Sequence, residues 1–328
     1  MIIKIKHLLQ RFGKEIKVFF PDVKEFGFKI ALYRAFDFLF PRPKTKAYIN
    51  ALSDYMEKEL SPLTEKYKSG YIPENPKKLF DMNGKTPVFV CWWQGEDKMP
   101  PLVSACVARM KKKIPQNAQL HIITEKNYSQ YVTIPGYVLD KFKSGKITLV
   151  HFTDILRYAL TFTYGGMWID STVYLSNDFK FNFLDKNYHT QRFSSSDVCP
   201  HEACMGKWCN FFFCGKRDNI LFGYVYEALL LWWKNHDKLL EYIIIDYIIR
   251  SGYFGVVEIQ NLVDGVEPNN EKMWMLSKKL NDEYNEGEFN DILNMSGFFK
   301  LSFKADWNTK SENGNKTVYA HIIGGENV

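Results

Sequence analysis

Hydrophobic positions in the central part of the chain follow two spacings in turn, the two-residue spacing of strands and the three-to-four-residue spacing of helices. Short β-type runs occur at TPVFVCWW (86–93), AQLHIIT (118–124), KITLVHF (146–152) and GGMWI (165–169). Helical patterns lie between them at PLVSACVARMKKKIP (101–115) and TDILRYALTFTY (153–164). Strands that alternate with helices indicate βαβ units. We therefore predict an α/β fold with a mainly parallel sheet flanked by helices.

The second half of the chain contains further patterns of both kinds. Helices are predicted over ILFGYVYEALLLWWKN (220–235) and KLLEYIIIDYIIR (238–250). NFFFCG (210–215) has the continuous apolar character of a buried strand, which would place Cys214 in the core. TVYAHII (317–323) is predicted to close the fold as a strand.

Residues 1–80 are predicted to be a helical and basic extension. The first 50 residues contain eleven Lys and Arg residues against four Asp and Glu. FKIALYRAFDFLF (28–40) has apolar residues at helical spacing, and Pro41 and Pro43 follow it. Two interpretations stay open for this segment: a helical cap packed on the core, or an interfacial helix on an anionic membrane. The α/β domain is predicted to span residues 81–328.

Composition and charge narrow the class of protein. With 328 residues, 46% of them hydrophobic, the chain can form one large domain with an appendage or two domains. The net charge of +6 suits an anionic ligand or a membrane surface, but it is too small to indicate nucleic acid binding. The chain has no apolar run of about 18 residues and no secretory signature, so we expect a cytoplasmic protein with free thiols.

Four of the six cysteines recur at intervals of five residues, at Cys199, Cys204, Cys209 and Cys214. This spacing raises the alternative of a zinc site. Zinc sites favour tighter paired spacings, however, and Cys214 falls within a predicted buried strand. Structural thiols are therefore the better interpretation.

Candidate chemistry lies at the predicted carboxyl ends of the strands, where ligands of open α/β sheets usually bind. Asp170 follows a Gly-Gly turn and a short strand. Asp154 and Arg157 are three residues apart and share one face of a helix that we predict Thr153 to cap, with Asp154 in the first turn. A turn aspartate held by backbone donors and a simple intrahelical ion pair are the structural alternatives. The combination favours a polar ligand or a cation.

Four further positions have both a structural and a functional interpretation. Asp246 lies inside an apolar run, and an unpaired buried charge is expensive, so it needs a partner or must face a cleft. Trp92 and Trp93 can each offer a flat face to a base or pack in the core. Lys304 can meet a phosphate or remain a solvated strand residue.

The stretch TDILRYALTFTYGGMWIDSTVYL (153–175) closely resembles the core signature of the capsular polysaccharide synthesis glycosyltransferases. These are bacterial relatives of the α-mannosyltransferases with a D-x-D motif and of the clostridial toxin glucosyltransferases. TPVFVCWWQGEDKMPPLVSAC (86–106) resembles the opening nucleotide-binding strand of the family, whereas YIIIDYII (242–249) and the region from Lys300 onward resemble later blocks more loosely. The resemblance covers residues 80–328, approximately the predicted α/β domain.

The resemblance implies a GT-A fold, a UDP-sugar donor and Mn²⁺ or Mg²⁺ as cofactor. Asp154 and Arg157 match the pair that holds the donor sugar in the family. Trp92 and Trp93 match the aromatic region near the uracil.

The same resemblance implies a metal site. Asp170 matches the first acid of the metal motif, Thr172 its last position, and His321 a late metal ligand. Thr172 supplies a hydroxyl in place of a second carboxylate, so metal binding would be weaker or partly through water, and His321 would matter more. Many members of the family resemble this D-x-T form, so we do not interpret the change as a loss of activity.

The implied activity is retaining transfer of a hexose to an undecaprenyl-diphosphate-linked oligosaccharide in surface polysaccharide synthesis. Asp246 is expected to contact the donor or acceptor sugar and Lys304 a phosphate. The expected location is the inner face of the bacterial membrane, as a peripheral protein without a nucleic acid partner. Two alternatives stay open: a phosphosugar transferase of capsule assembly, and a non-catalytic sugar-binding protein on a degenerate fold, which only Thr172 supports.

Overall fold

The structure, a computed structural model, describes residues 17–39, 45–194 and 202–325. The helices in chain order are α1 (17–26, its described part), α2 Phe28–Leu39, α3 Lys46–Lys68, α4 Pro101–Lys113, α5 Gly136–Lys143, α6 Leu149–Tyr164, α7 Ile220–Asn235, α8 Ile244–Gly255, α9 Val257–Asp264, α10 Glu286–Asn294 and α11 Val318–Ile323. The strands are β1 Thr86–Cys91, β2 Ala118–Ile123, β3 Gly166–Ile169, β4 Val173–Leu175, β5 Tyr188–Thr190, β6 Phe212–Gly215 and β7 Phe298–Lys300.

The central sheet has the strand order β2-β1-β3-β6-β5. β1 pairs in parallel with β2 and β3, whereas β6 pairs antiparallel with both β3 and β5, so β6 alone among these five strands is reversed. A separate two-stranded sheet pairs β4 antiparallel with β7, with Val173 opposite Lys300. The α/β class, the mainly parallel sheet and the N-terminal helical part are therefore confirmed, and the GT-A fold stays a prediction from the resemblance.

Both faces of the sheet are buried. Successive residues of a strand point to opposite sides, and each side packs into its own hydrophobic cluster. Phe89 and Trp168 belong to one hydrophobic cluster, built largely with α3, α6, α7 and α8. Val88 and Met167 belong to the other, which includes α4. Cys214 lies in this second cluster and is fully buried, which confirms the interpretation of its segment as a buried strand.

The predicted strand over 146–152 is wrong, because α6 begins inside it. Thr148 is the N-cap of α6, and its hydroxyl oxygen accepts a hydrogen bond from the backbone N–H of His151. Thr153 therefore does not cap this helix, and Asp154 lies in its second turn rather than its first. A short apolar, β-branched run does not distinguish a strand from a fully buried helix, and α6 is buried on nearly every side.

The predicted strand over 317–323 is wrong for a similar reason. This segment forms α11, and the Thr317 hydroxyl caps it by accepting a hydrogen bond from the Ala320 N–H at 3.1 Å. The helix predicted over 238–250 begins only at Ile244.

The N-terminal helices form a cap on the α/β core. The ring of Phe26 in α1 stacks on Trp232 of α7, with centroids 6.2 Å apart, and Arg34 of α2 pairs with Asp22 of α1 at 3.1 Å. α3 packs along α8 and α7. No helix in the described part of the chain is long and apolar enough to cross a membrane. The prolines predicted to end the first helical segment, at positions 41 and 43, lie outside the described residues.

Candidate functional site

A cavity of about 310 Å³ opens beyond the carboxyl end of β3. Its charged lining residues are Asp154, Arg157, Asp170, Asp246 and Lys300. Aromatic side chains form much of the remaining wall: Phe193, Trp208, Phe211, Tyr242 and Trp274. Ligand sites are typically cavities of roughly 300–1,000 Å³ that combine apolar walls with a few convergent polar groups. This cavity is therefore the candidate site.

The turn before β3 requires glycine, and it determines where Asp170 lies. Gly165 and Gly166 have φ of 71° and 83°, and a Cβ on Gly166 would lie 2.1 Å from the carbonyl oxygen of Pro87. This close approach lets β3 lie against β1. Asp170 follows β3 directly, and its backbone N–H donates to the carbonyl of Phe211 at 2.8 Å.

Helix α6 contributes a buried ion pair. Arg157 Nη2 lies 3.2 Å from Asp154 Oδ1 and 3.7 Å from Asp170 Oδ1, and the side chains of the first pair are only 10% and 9% exposed. Arg157 Nη1 also donates to the carbonyl of Asn210. Burial raises the pKa of Asp154, and the charge of Arg157 opposes this shift. Because buried charges need partners, these groups hold one another in position.

Asp170 is surrounded by hydrogen-bond donors. Its Oδ1 accepts from Trp168 Nε1 at 2.9 Å, and its Oδ2 accepts from Lys300 Nζ at 3.0 Å. Burial by itself would raise the pKa of Asp170, but the charges of Lys300 and Arg157 and these two hydrogen bonds outweigh it and hold the pKa below its usual range. Asp170 is therefore an ionised carboxylate at neutral pH.

Asp246 reaches the same cavity from α8. Its Oδ1 accepts hydrogen bonds from Trp208 Nε1 at 3.1 Å and Asn210 Nδ2 at 2.7 Å. Burial raises the pKa of Asp246 to about 7 despite these bonds; the charge of Asp154 adds to the shift and that of Arg157 opposes it. A carboxyl group that titrates near neutral pH can either donate or accept a hydrogen bond there.

Three residues that line the cavity have buried polar atoms without a hydrogen-bond partner in the described chain: Arg157 Nε, Gln191 Oε1 and Trp274 Nε1. Buried polar atoms are normally paired, so a set of unpaired ones at a cavity indicates that a ligand completes them. The set contains two donors and one acceptor. A ligand rich in hydroxyl or phosphate oxygens matches this combination.

Trp92 and Trp93 follow β1 at the same edge of the sheet, but neither lines this cavity. The Trp92 ring meets Phe303 edge-on, with centroids 5.2 Å apart, and the Trp93 ring meets Phe152 edge-on at 5.4 Å. Lys304 is exposed and also lies outside the cavity lining. Contacts of these residues with a nucleotide stay predictions.

A lysine bridges the two motif positions that are expected to bind metal. Lys300 Nζ donates to Asp170 Oδ2 at 3.0 Å and to Thr172 Oγ1 at 2.6 Å. His321, the third expected ligand, lies on α11, where its ring stacks on Tyr284 with centroids 3.8 Å apart, and it does not line the cavity.

As arranged here, this donor set is a poor fit for a divalent cation, because Lys300 contacts both motif side chains. Mn²⁺ and Mg²⁺ need several oxygen ligands, whereas here one carboxylate and one hydroxyl already accept hydrogen bonds from an ammonium. Over the residues that the structure describes, no group of three or more His, Cys, Asp or Glu side chains is placed to hold a metal ion. The divalent cofactor stays a prediction from the resemblance.

The cysteine spacing forms no zinc site within the described ranges. Cys204 and Cys209 line the cavity, and Cys214 lies in the core. Cys199 falls outside the described residues.

Three polar residues of the cavity, Lys300, Asn210 and Gln191, were missed by reasoning from the sequence. The pairing of β7 with β4 brings Lys300 to the cavity. The one signal for it in the sequence is that it begins a block with loose family resemblance. Asn210 precedes a buried strand and Gln191 directly follows a short one, and no local pattern marks either as a ligand contact.

Comparison with known proteins identifies a family. Residues 41–322 match the family model described as capsular polysaccharide synthesis protein. No protein with a curated description matches the chain. A solved structure described as PaToxG Glycosyltransferase aligns with 77% of this chain and 99% of that chain, at a TM-score of 0.38 and 11% identity. A likeness of this degree is too weak to support a conclusion about fold or function. The family match covers most of the chain and all the charged residues of the cavity, so the chain belongs to the family of capsular polysaccharide synthesis proteins.

Proposed function

We propose that the chain is a retaining glycosyltransferase that moves a hexose from a UDP-sugar to a lipid-linked oligosaccharide during surface polysaccharide synthesis. Membership of the capsular polysaccharide synthesis family supports the biological role. The observation that carries the proposal is a single cavity that combines the charges of Asp154, Arg157, Asp170 and Asp246 with unpaired buried polar atoms. Its volume of about 310 Å³ suits a sugar ring with an adjoining phosphate.

The charged side chains can share the recognition of the donor. Asp154 accepts hydrogen bonds from sugar hydroxyls, and Arg157, whose Nε has no partner in the described chain, donates to a sugar or phosphate oxygen. Asp246, with a pKa of about 7, donates to or accepts from a hydroxyl of either sugar. The aromatic walls exclude water from the reacting groups, which strengthens these interactions.

We propose a front-face route to retention. The bond between the anomeric carbon and the diphosphate oxygen breaks, and its electron pair stays on that oxygen. The acceptor hydroxyl oxygen bonds to the anomeric carbon from the same face, and its proton passes to the departing diphosphate. Asp154 is paired with Arg157 and Asp170 with Lys300, which supports a route without a covalent intermediate on either carboxylate.

Screening nucleoside diphosphate sugars against the purified chain tests the proposal. A donor that binds the native state raises the melting midpoint, and release of UDP with a matching acceptor reports transfer. We expect Asp154→Asn to lower turnover on the order of 100-fold, because it weakens donor positioning. Asp140→Asn, an exposed aspartate on α5, is the matched control and should keep the wild-type rate.

The mass of the product separates the alternatives. Hexosyl transfer adds a sugar without phosphorus to the acceptor, whereas phosphosugar transfer adds phosphorus and would contradict our assignment. If an oligosaccharide binds but no nucleotide sugar binds or is turned over, the non-catalytic alternative replaces the proposal.

An outward apolar row on the N-terminal helices supports a position at the inner face of the bacterial membrane. Phe28, Leu32 and Phe36 recur every four residues along α2 and are 63%, 41% and 59% exposed, and Phe20 of α1 is 69% exposed. Exposed Lys29 adjoins the row and can meet anionic headgroups. We propose that this row lies in the membrane interface, where it brings the cavity to a lipid-linked acceptor.

Co-sedimentation with vesicles that contain an anionic phospholipid tests the membrane proposal. The triple variant Phe28→Ser, Leu32→Ser, Phe36→Ser should lose most of its binding, because it removes the exposed apolar area. Val257→Ser on α9, at a position 65% exposed, is the control. Binding by the triple variant that equals wild-type binding would rule out this row as the anchor.

A further inference from the structure

A lysine lies where the resemblance leads us to expect a metal ion. Lys300 Nζ contacts both motif side chains, Asp170 Oδ2 at 3.0 Å and Thr172 Oγ1 at 2.6 Å. Its side chain is 17% exposed, and the residue lines the cavity. An ammonium has three N–H donors. These two contacts use two of them, which leaves the third for a ligand in the cavity.

Main-chain hydrogen bonds fix the base of this lysine. Lys300 lies opposite Val173 in the pairing of β7 with β4. Its own N–H donates to the carbonyl of Met273 at 2.9 Å, and the N–H of Leu301 donates to the carbonyl of Thr172 at 2.9 Å. The ammonium is therefore placed by a paired strand rather than by a mobile loop.

The charges around Asp170 disfavour a further cation. Arg157 Nη2 lies 3.7 Å from Asp170 Oδ1, whereas Lys300 Nζ contacts the other carboxylate oxygen, Oδ2, at 3.0 Å. A divalent ion bound to this carboxylate would be close to two positive charges, which would repel it. The hydroxyl of Thr172 is the weaker kind of metal ligand, and it already accepts a hydrogen bond from Lys300.

We propose that the Lys300 ammonium, rather than a divalent cation, stabilises the departing diphosphate. This inference rests on the glycosyl transfer proposed above. Negative charge grows on the diphosphate as its bond to the anomeric carbon breaks, and a fixed positive group in a cavity with restricted water stabilises that charge in the transition state. The acceptor proton leaves on the diphosphate, so Lys300 keeps its own protons and the step balances without a metal. Asp170 then acts as a positioning residue that orients the ammonium.

Metal dependence of the wild-type chain tests this inference directly. UDP binding is measured by calorimetry and UDP-sugar turnover by UDP release, first in EDTA and then with excess Mn²⁺. We expect both quantities to be the same in the two conditions. Loss of binding and turnover in EDTA, with recovery on adding Mn²⁺, would overturn the inference and leave glycosyl transfer intact.

Lys300→Met removes the charge but keeps most of the length of the side chain. We expect kcat to fall on the order of 100-fold, with a smaller change in KM, because the charge acts mainly in the transition state. UDP affinity should also fall, and Mn²⁺ should restore neither. Lys300→Arg should keep part of the activity, and exposed Lys278→Met is the matched control.

The outcomes distinguish the role of Lys300 from the glycosyl transfer on which it rests. A Lys300→Met protein that turns over at the wild-type rate would refute the role of the lysine. Melting curves check that the variant folds, and if it does not, the EDTA experiment on the wild-type chain decides. If no nucleoside diphosphate binds in either condition, the proposed glycosyl transfer itself is wrong, and the role of Lys300 falls with it.

Discussion

Replacing Asp246 by asparagine should stabilise the fold at alkaline pH while lowering activity. The carboxyl group has a pKa of about 7 in the folded chain against an ordinary value of 3.8. Burial is the main cause, since the residue is only 6% exposed. The hydrogen bonds from Trp208 and Asn210 offset it only in part.

The size of the effect follows from these two pKa values. At a pH between these two pKa values, the unfolded chain has released the proton and the folded chain has kept it. The free energy of unfolding therefore falls by about 1.4 kcal/mol for each unit by which the pH rises. Across the interval the loss reaches about 4 kcal/mol, complete above the folded pKa and absent below the unfolded one. Asparagine has a similar shape and does not ionise. Asp246→Asn should therefore exceed wild-type stability by up to about 4 kcal/mol at alkaline pH and match it in acid.

Urea denaturation of both proteins at about pH 5 and about pH 8 measures the difference. All other titrating groups are shared, so the change in the difference with pH isolates this carboxyl group. Asp306→Asn, at an exposed position, is the control and should show no such trend. A stability difference that is equal at both pH values would refute the raised pKa. Turnover by Asp246→Asn should fall, because Asp246 is proposed to contact a sugar.

Three further substitutions test the local structure of the site. Arg157→Met leaves Asp154 buried without its partner, so urea unfolding should show a loss of about 3–5 kcal/mol, and an unchanged free energy would contradict the buried pair. Gly166→Ala places a Cβ 2.1 Å from a backbone oxygen, whereas Gly314 has nearly the same φ in open space, so Gly166→Ala should lower the melting midpoint far more than Gly314→Ala. Thr148→Ala should cost about 1 kcal/mol by thermal unfolding, and no cost would mean that α6 begins elsewhere.

The layers of the fold and the centre of the site were predictable from the sequence. β1, β2, β3 and β6 are β-type runs of strand length, and α4 and α7 have helical periodicity, so each is marked by its own residues. Asp154, Arg157 and Asp170 could be grouped because helical spacing and the glycine turn are local signals.

Local signals failed where a short apolar segment suits two structures equally well. The runs at 146–152 and 317–323 contain β-branched residues and were predicted as strands, but α6 begins in the first and α11 in the second. Thr148 and Thr317 act as N-caps, and a threonine in sequence is equally compatible with a strand. The packing of the residues that follow Val150 decides in favour of the helix, because α6 is buried along nearly all of its remaining length.

What the sequence by itself determined was therefore the α/β order of elements and the carboxylate and arginine positions of the central motif. Only the tertiary structure decided what surrounds them. Lys300 contacts Asp170, which is 130 positions away in the sequence, because β7 pairs with β4. Asn210 contacts Asp246, which is 36 positions away. The physical reason is range: periodicity and capping act over a few residues, whereas strand pairing and the burial that raises the pKa of Asp246 depend on contacts summed over the whole chain.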